Sequence, residues 1–276
     1  MLTCRRSSMS LLHVLPGLLA VALSPFVLAQ SAPTCQATRS WVPVVELYTS
    51  QGCSSCPPAD DWLRSLKQAA DAQQVVPLAF HVDYWDYLGW RDPYSSGAHS
   101  ARQRRLARAE GGSVVYTPQV RLSGNDFRGW RSADTVRSML ARKSPEPAAD
   151  VTLSLDLRGQ VLKVNARTTL PGDTVGYVAV YERMLGSKIS GGENAGRTLQ
   201  HDFVVRTLIG PFTPDAQGRF NLMRDIALDP SWKRADLGVA LLQADADSGA
   251  ARLGASLALC AAPERLSALT SSAPHR

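Results

Sequence analysis

Two hydrophobic rhythms divide the chain. From Trp41 to about Lys143, short apolar runs alternate with stretches whose apolar positions recur every three to four residues, the signature of strands alternating with amphipathic helices. "WVPVVELYT" reads as a strand with Pro43 near its start, where a missing N–H does least harm. "ADDWLRSLKQAADA" follows as a helix with Trp62, Leu66 and Ala69 on one face and Asp60 and Asp61 in the first turn, where carboxylates suit the helix dipole. "VVPLAFHVDYW" predicts a second strand, placed at a sheet edge by Pro77. An aromatic connection, "DYLGWRDPYSSG", leads to a helix near Ala98 to Glu110 that Gly111 and Gly112 stop. "VVYTPQVRLSGNDFRGW" predicts two short strands turning at Gly124 to Asp126, and "SADTVRSMLARK" a helix capped by Ser132.

Beyond Asp150 the pattern changes to strands alone: "VTLSLDL", "QVLKVNART", "VGYVAVYER", "HDFVVRTLI", "RFNLMRDIAL", "LGVALLQAD" and "GASLALC", separated by turn-forming stretches such as "PGD", "GGENAG" and "PDAQG". The expected organisation is an α/β domain over residues 41–143, a linker at 144–150 ("SPEPAAD"), a smaller all-β, sandwich-like domain over 151–262, and a flexible tail over 263–276.

Residues 1–29 carry Arg5 and Arg6, then an apolar run from Leu11 to Leu28 and a small residue at Ala29, the layout of a cleaved secretory signal peptide. The expected location is secreted or periplasmic, with no transmembrane anchor after cleavage. Arg5 and Arg6 leave with the leader and no acid does, so the formal net charge falls from +6 to +4. The basic run "ARQRRLARAE" reads as a solvated helix face, and no nucleic-acid partner is expected. Cleavage also removes Cys4, leaving Cys35, Cys53, Cys56 and Cys260 in a compartment that permits disulfides. Cys53 and Cys56 stand too close together at one helix start to reach distant partners independently, so the expected pairs are Cys35 with Cys260, a structural bridge, and Cys53 with Cys56.

The second pair carries the chemistry. In "VELYTSQGCSSCPPAD" a strand, a turn and a helix start bearing Cys-x-x-Cys follow one another. Unpaired N–H groups and the positive end of a helix dipole stabilise thiolate, lowering a cysteine's pKa from about 8.5 to about 3.5 in the extreme. Pro57 and Pro58 fit only a helix's first turn, so the helix begins near Ser55 or Cys56, with Cys53 exposed ahead of it and Cys56 more buried. A passive local disulfide and half of a metal site are the competing readings; a structural zinc site would need two further ligands.

The order of elements, "GCSSC" at the first strand-to-helix junction and "YTPQV" opening the later hairpin together resemble the thioredoxin-like fold. More narrowly, "VELYTSQGCSSCPPAD", "FHVDYWDYLGWRDPY", "ARQRRLA", "VYTPQ" and "GENAGRTLQHDFVV" are similar to the exported family catalogued as domain-of-unknown-function family 1223. The resemblance implies a thioredoxin-like first domain, a β-rich second one and no assigned substrate. It also implies a cis-proline facing the dithiol at Pro118, with Thr117 before it. Gly52 stands where ordinary thioredoxins carry tryptophan, and Ser54 and Ser55 fill the space between the cysteines, able to bond a thiolate or to cap the helix.

Two further groups are candidates. His81 and Asp83 fall on one face if their strand continues so far, beside Trp85, and read as proton carriers, as metal ligands or as a bonded pair anchoring the loop. Glu193, Asn194, Arg197 and His201 sit in a glycine-rich loop that can reach the dithiol from the second domain or form a self-contained turn. The expected function is an exported thiol-disulfide oxidoreductase: Cys53 attacks, Cys56 resolves, Pro118 shapes the groove, the substrate is a protein or small thiol or disulfide, and no cofactor is required. The rivals are Cu(I) held by Cys53, Cys56 and His81, and a binding protein with an inert disulfide.

Overall fold

The computed structural model describes residues 34–141 and 149–260. The expected leader, the tail over 263–276 and most of the linker lie outside the described residues. In chain order the strands are β1 (Thr34–Arg39), β2 (Val42–Thr49), β3 (Val76–His81), β4 (Gln119–Leu122), β5 (Asn125–Asp126), β6 (Val151–Arg158), β7 (Val161–Thr169), β8 (Thr174–Glu182), β9 (Leu185–Lys188), β10 (Thr198–His201), β11 (Val204–Phe212), β12 (Arg219–Ala227), β13 (Leu237–Asp245) and β14 (Ala251–Ala258). The helices are α1 (Pro57–Ser65), α2 (Lys67–Asp71), α3 (Gly97–Ala109) and α4 (Ala133–Leu140). None is long and apolar enough to cross a membrane.

The fold is mostly β, 43% strand against 22% helix, with a six-stranded barrel at its centre. This overturns the expected α/β thioredoxin-like domain followed by a smaller all-β sandwich. Strands from both halves of the chain make one ring in the order β2-β3-β11-β8-β13-β14, and β14 returns to β2. β8 is buried along its whole length and β13 nearly so, because one face lines the barrel and the other meets a second sheet. Their runs "VGYVAVY" and "LGVALLQA" lack polar alternation, as strands covered on both faces do.

The ring consists of two panels. β2 and β3 pair in parallel from Val44 with Val76 to Thr49 with His81, whereas β11, β8, β13 and β14 pair antiparallel. The panels join through Val204 with Ala79 on one side and through Leu253 with Pro43 and Gly254 with Val42 on the other. The remaining free edge of β2, Val45 to Tyr48, takes β4, and β5 pairs beyond it. Pro77 therefore lies in an interior strand rather than an edge one. It is tolerated because β11 pairs with β3 only at Ala79, so no ladder bond on that side calls for its missing N–H.

Three apolar layers hold these pieces together. Val44, Tyr48, Leu78, Phe80, Ala179 and Leu242 fill the barrel. The second sheet, in the order β1-β6-β7-β12, packs Leu153, Leu155, Leu162 and Val164 against Val178, Val180, Val239 and Leu241. α1, α2 and α4 cover the opposite face of β2 and β3 through Leu63, Leu66, Ala69 and Met139 on Val45, Leu47 and Ala79. Side chains of this size contribute about 1.5–3 kcal/mol each when fully buried.

The barrel interior also holds charge. Arg102 of α3 donates to Glu46 Oε1 from Nη2 at 2.6 Å and from Nε at 3.2 Å, and lies over the Phe80 and Tyr177 rings. Arg121 bonds Glu110. Cys35 is bonded to Cys260, joining the strand that precedes β2 to the residue that follows β14 across a sequence separation of 225.

Candidate functional site

Where β2 ends, Ser50 O accepts from Cys53 N at 3.2 Å and Cys53 O from Cys56 N at 3.2 Å, a tight turn that delivers both cysteines to the start of α1. Cys56 is the N-cap, and Pro57 and Pro58 occupy the first two helical positions, where a missing N–H is harmless. Cys53 and Cys56 are bonded to each other, with Cα atoms 5.5 Å apart. Cys53 is 1% exposed and Cys56 0%, so the expectation of an exposed Cys53 fails.

The cover over Cys53 comes from sequence-distant segments. Asn194 Nδ2 donates to Gln51 O and to Cys53 O, each at 2.9 Å, and Arg197 Nη1 holds Asn194 Oδ1 at 2.8 Å. Ser54 N donates to Glu193 Oε2 at 2.8 Å, and this holds the Glu193 carboxyl below its ordinary range. The Ser55 hydroxyl lies 3.3 Å from Cys53 Sγ. Gly52 lets the turn pack closely on Trp85, since a Cβ there would stand 3.1 Å from both its Cβ and its O; the Trp85 indole N–H donates to Thr117 Oγ1 at 2.7 Å. At Gly191 a Cβ would meet Gly89 O at 2.3 Å, so the polar loop and the aromatic connection touch backbone to backbone.

The Thr117–Pro118 peptide is cis. Thr117 and Pro118 line a groove of about 480 Å³ with Ser55, Phe127, Arg128 and Arg131, which places one wall of the groove on the dithiol turn.

His81 does not pair with Asp83. β3 stops at His81, and Asp83 turns away to accept from Ser100 Oγ at 2.5 Å. The partner of His81 is Asp92, whose Oδ2 lies 2.7 Å from Nδ1 and also accepts from Gln51 N at 2.9 Å. Burial pulls the His81 pKa down, but the Asp92 carboxylate outweighs it and the net shift is upward. Burial likewise opposes ionisation of Asp92, and His81 with the Gln51 and Tyr94 N–H groups outweighs it, so its net shift is downward. His99, bonded to His81 O, is lowered to about 4 by burial.

His201, at the end of β10, stands 4.9 Å from His81, ring centroid to ring centroid. Gln51 ties it to the dithiol turn: Gln51 Nε2 lies 3.0 Å from His201 Nε2 and 2.9 Å from Ser187 Oγ, while Trp90 Nε1 donates to Gln51 Oε1. Asp60, on α1, reaches the same place, with Oδ1 3.9 Å from His201 Nδ1.

A family model described as a protein of unknown function (DUF1223) matches residues 44–243. The chain belongs to that family. It is also similar to the crystal structure of protein AGR_C_4864 from Agrobacterium tumefaciens, at 27% identity and a TM-score of 0.58, over 85% of this chain and 97% of that one. No curated protein matches. The span matched by the DUF1223 model includes every residue of the dithiol turn, the aromatic connection and the polar loop. It excludes Cys35, Cys260 and β14, so the structural bridge lies outside it.

The structure brings Cys53, Cys56, Ser55, His81, Trp85, Thr117, Pro118, Glu193, Asn194, Arg197 and His201 into one region, and separates Asp83 from it. The sulfurs of Cys53 and Cys56 engage each other, and His81 converges with Asp60 and His201 instead. Sequence reasoning missed Gln51, Asp60 and Asp92. Only Asp60 carried a usable signal: it lies four residues after Cys56 and three before Leu63, on the buried face of the helix.

Proposed function

We propose that the protein is an exported dithiol–disulfide exchange protein acting through Cys53 and Cys56 on a protein or small thiol substrate. The observation that carries the reading is the bonded Cys53–Cys56 pair at a helix N-terminus, with Ser55 shared between that turn and a groove lined by Pro118. Export rests on the leader pattern and on two disulfides, which persist in oxidising compartments.

In the oxidised form a substrate thiolate attacks Cys53 Sγ, the Cys53–Cys56 bond breaks, and Cys56 leaves as thiolate, stabilised by the helix N-terminus. A second substrate thiolate then attacks the substrate sulfur of the mixed disulfide and expels Cys53. Two electrons pass from the substrate dithiol to the protein, leaving a substrate disulfide and a reduced pair. Because Cys53 is buried, the Glu193–Asn194 cover must swing aside first. The reverse sequence reduces a substrate disulfide.

The test is alkylation of the purified mature protein across a redox series, with the modified cysteines identified by mass. Cys53 and Cys56 are expected to become reactive together at potentials above about −300 mV, the level below which structural disulfides typically lie. In cells, Cys56→Ser is expected to accumulate mixed disulfides through Cys53, and Cys53→Ser to accumulate none. A pair still oxidised at that potential, with no mixed disulfide recovered, would rule the reading out.

A further inference from the structure

Three buried ligand atoms on different elements face one point. His81 at the end of β3, His201 at the end of β10 and Asp60 in the first turn of α1 each present one ligand atom, and these all lie within 4.8 Å of one another. The residues are 0%, 2% and 5% exposed. His81 Nε2, His201 Nδ1 and Asp60 Oδ2 have no hydrogen-bond partner among the described residues. Leaving such atoms buried and unmatched is costly, and each of the three clustered residues carries one, which calls for a shared partner.

The surroundings define what that partner must be. Asp92 Oδ2 accepts from His81 Nδ1–H at 2.7 Å, which leaves Nε2 as the nitrogen for the cluster, the carboxylate–histidine arrangement that orients metal-bound imidazoles. Asp60 and Asp92 bring two negative charges. The nearby Arg206 is engaged by Glu182 at 3.6 Å, and Arg197 by Asn194. We propose that Asp60, His81 and His201 form a binding site for one divalent first-row metal ion, of the zinc class, with a fourth position left open. The proposal does not depend on the chemistry of the dithiol.

Two adjustments accompany loading. Ligand atoms sharing a tetrahedral zinc ion at about 2.0–2.2 Å lie nearer together than 4.8 Å, so the three side chains draw inward. The second concerns His201. Trp90 fixes Gln51 with its amide N–H toward His201 Nε2, which places the imidazole proton on Nδ1. Binding at Nδ1 moves that proton to Nε2, and the Gln51 amide turns to accept it, releasing the Trp90 indole.

The experiment uses the mature protein without reductant, a free-thiol count establishing that Cys53 and Cys56 remain bonded. After chelator treatment and dialysis it is titrated with Zn²⁺, and with Co²⁺ for its absorption spectrum. One equivalent per chain is expected, with a Co²⁺ spectrum of nitrogen and oxygen ligands and no thiolate charge-transfer band. Asp60→Asn and His201→Gln are expected to abolish stoichiometric binding. Asp92→Asn, which leaves all three ligands in place, is expected to weaken it about 10- to 100-fold. Circular dichroism establishes that each variant is folded, and Asp92→Asn supplies the decision if a ligand variant is not. Absence of bound metal in the wild type, or equal retention by wild type and folded variants, overturns the proposal.

Discussion

Two buried polar clusters flank the same parallel strands, and they are balanced in different ways. Inside the barrel, the Glu46 carboxylate meets the Arg102 guanidinium, and the buried Arg121 reaches out to Glu110, whose side chain is 44% exposed, so each anion has a cation from the same chain. The polar atoms left over there, Tyr48 Oη, Glu46 Oε2 and Arg102 Nη1, include donors and acceptors side by side. At the rim, Asp60, His81 and His201 offer ligand atoms to one another, with Asp92 behind them. The first cluster carries its own counter-charge and reads as structure. The second is complete only with something added, and that incompleteness marks a site.

The largest expected effect lies in the balanced cluster. Arg102→Met strands the Glu46 carboxylate in the barrel and should cost about 3–5 kcal/mol in urea denaturation, while Glu46→Gln combined with Arg102→Met should recover most of it. A loss from the single variant no larger than that of a typical surface change would dissolve the contrast. Metal removal probes the other side: with Zn²⁺ at a hundredfold excess over Kd, chelation should lower stability by about 2.7 kcal/mol. The same treatment of Asp60→Asn should change nothing.

Smaller effects separate packing from reactivity at the rim. Asn194→Ala leaves Gln51 O and Cys53 O without their shared donor, at a cost of about 1–3 kcal/mol, and should also speed reduction of the Cys53–Cys56 bond by dithiothreitol. Unchanged reduction kinetics would mean that Asn194 braces the turn without covering the sulfurs. Glu193→Gln should be the mildest, because this exposed side chain is held by Ser54 alone among the described residues, through its N–H and its hydroxyl. A faster reduction with an unaltered melting curve is the expected result, and a shift in melting alone would assign Glu193 to stability.

Much of this was legible in the residues, up to a point set by the range of each signal. Local periods located β2, β3, α1, α3 and α4, and the cap at Ser132 marks where α4 begins. Which strand pairs with which is not a local property. β11 joins β3 through one residue pair, and β14 finds β2 through two, contacts that leave no periodic trace. β1, β9 and β10 are short or weakly apolar and passed as connections. At the site, Cys53 and Cys56 were singled out by their spacing, Pro118 by the family resemblance and Asn194 by its glycine-rich loop. Asp92 and Gln51 were not, because their roles exist only once β3, the aromatic connection and β10 have been brought together.

The two seams give the ring a mechanical bias. Cys35–Cys260 ties the chain ahead of β2 to the chain beyond β14, on the side of the β2–β14 seam, and restrains it from parting. The opposite seam, at Ala79 and Val204, has no such fastening, and the dithiol turn and His201 lie on its two sides. Breathing of the barrel should therefore be one-sided, like a clasp with a riveted hinge, lifting the Asn194 cover and spreading His81 from His201 in the same stroke. The Ala79 amide, which donates to Phe203 O across that gap at 2.8 Å, is the natural reporter. It should exchange with deuterium faster than its neighbours in β3, and Zn²⁺ should slow it.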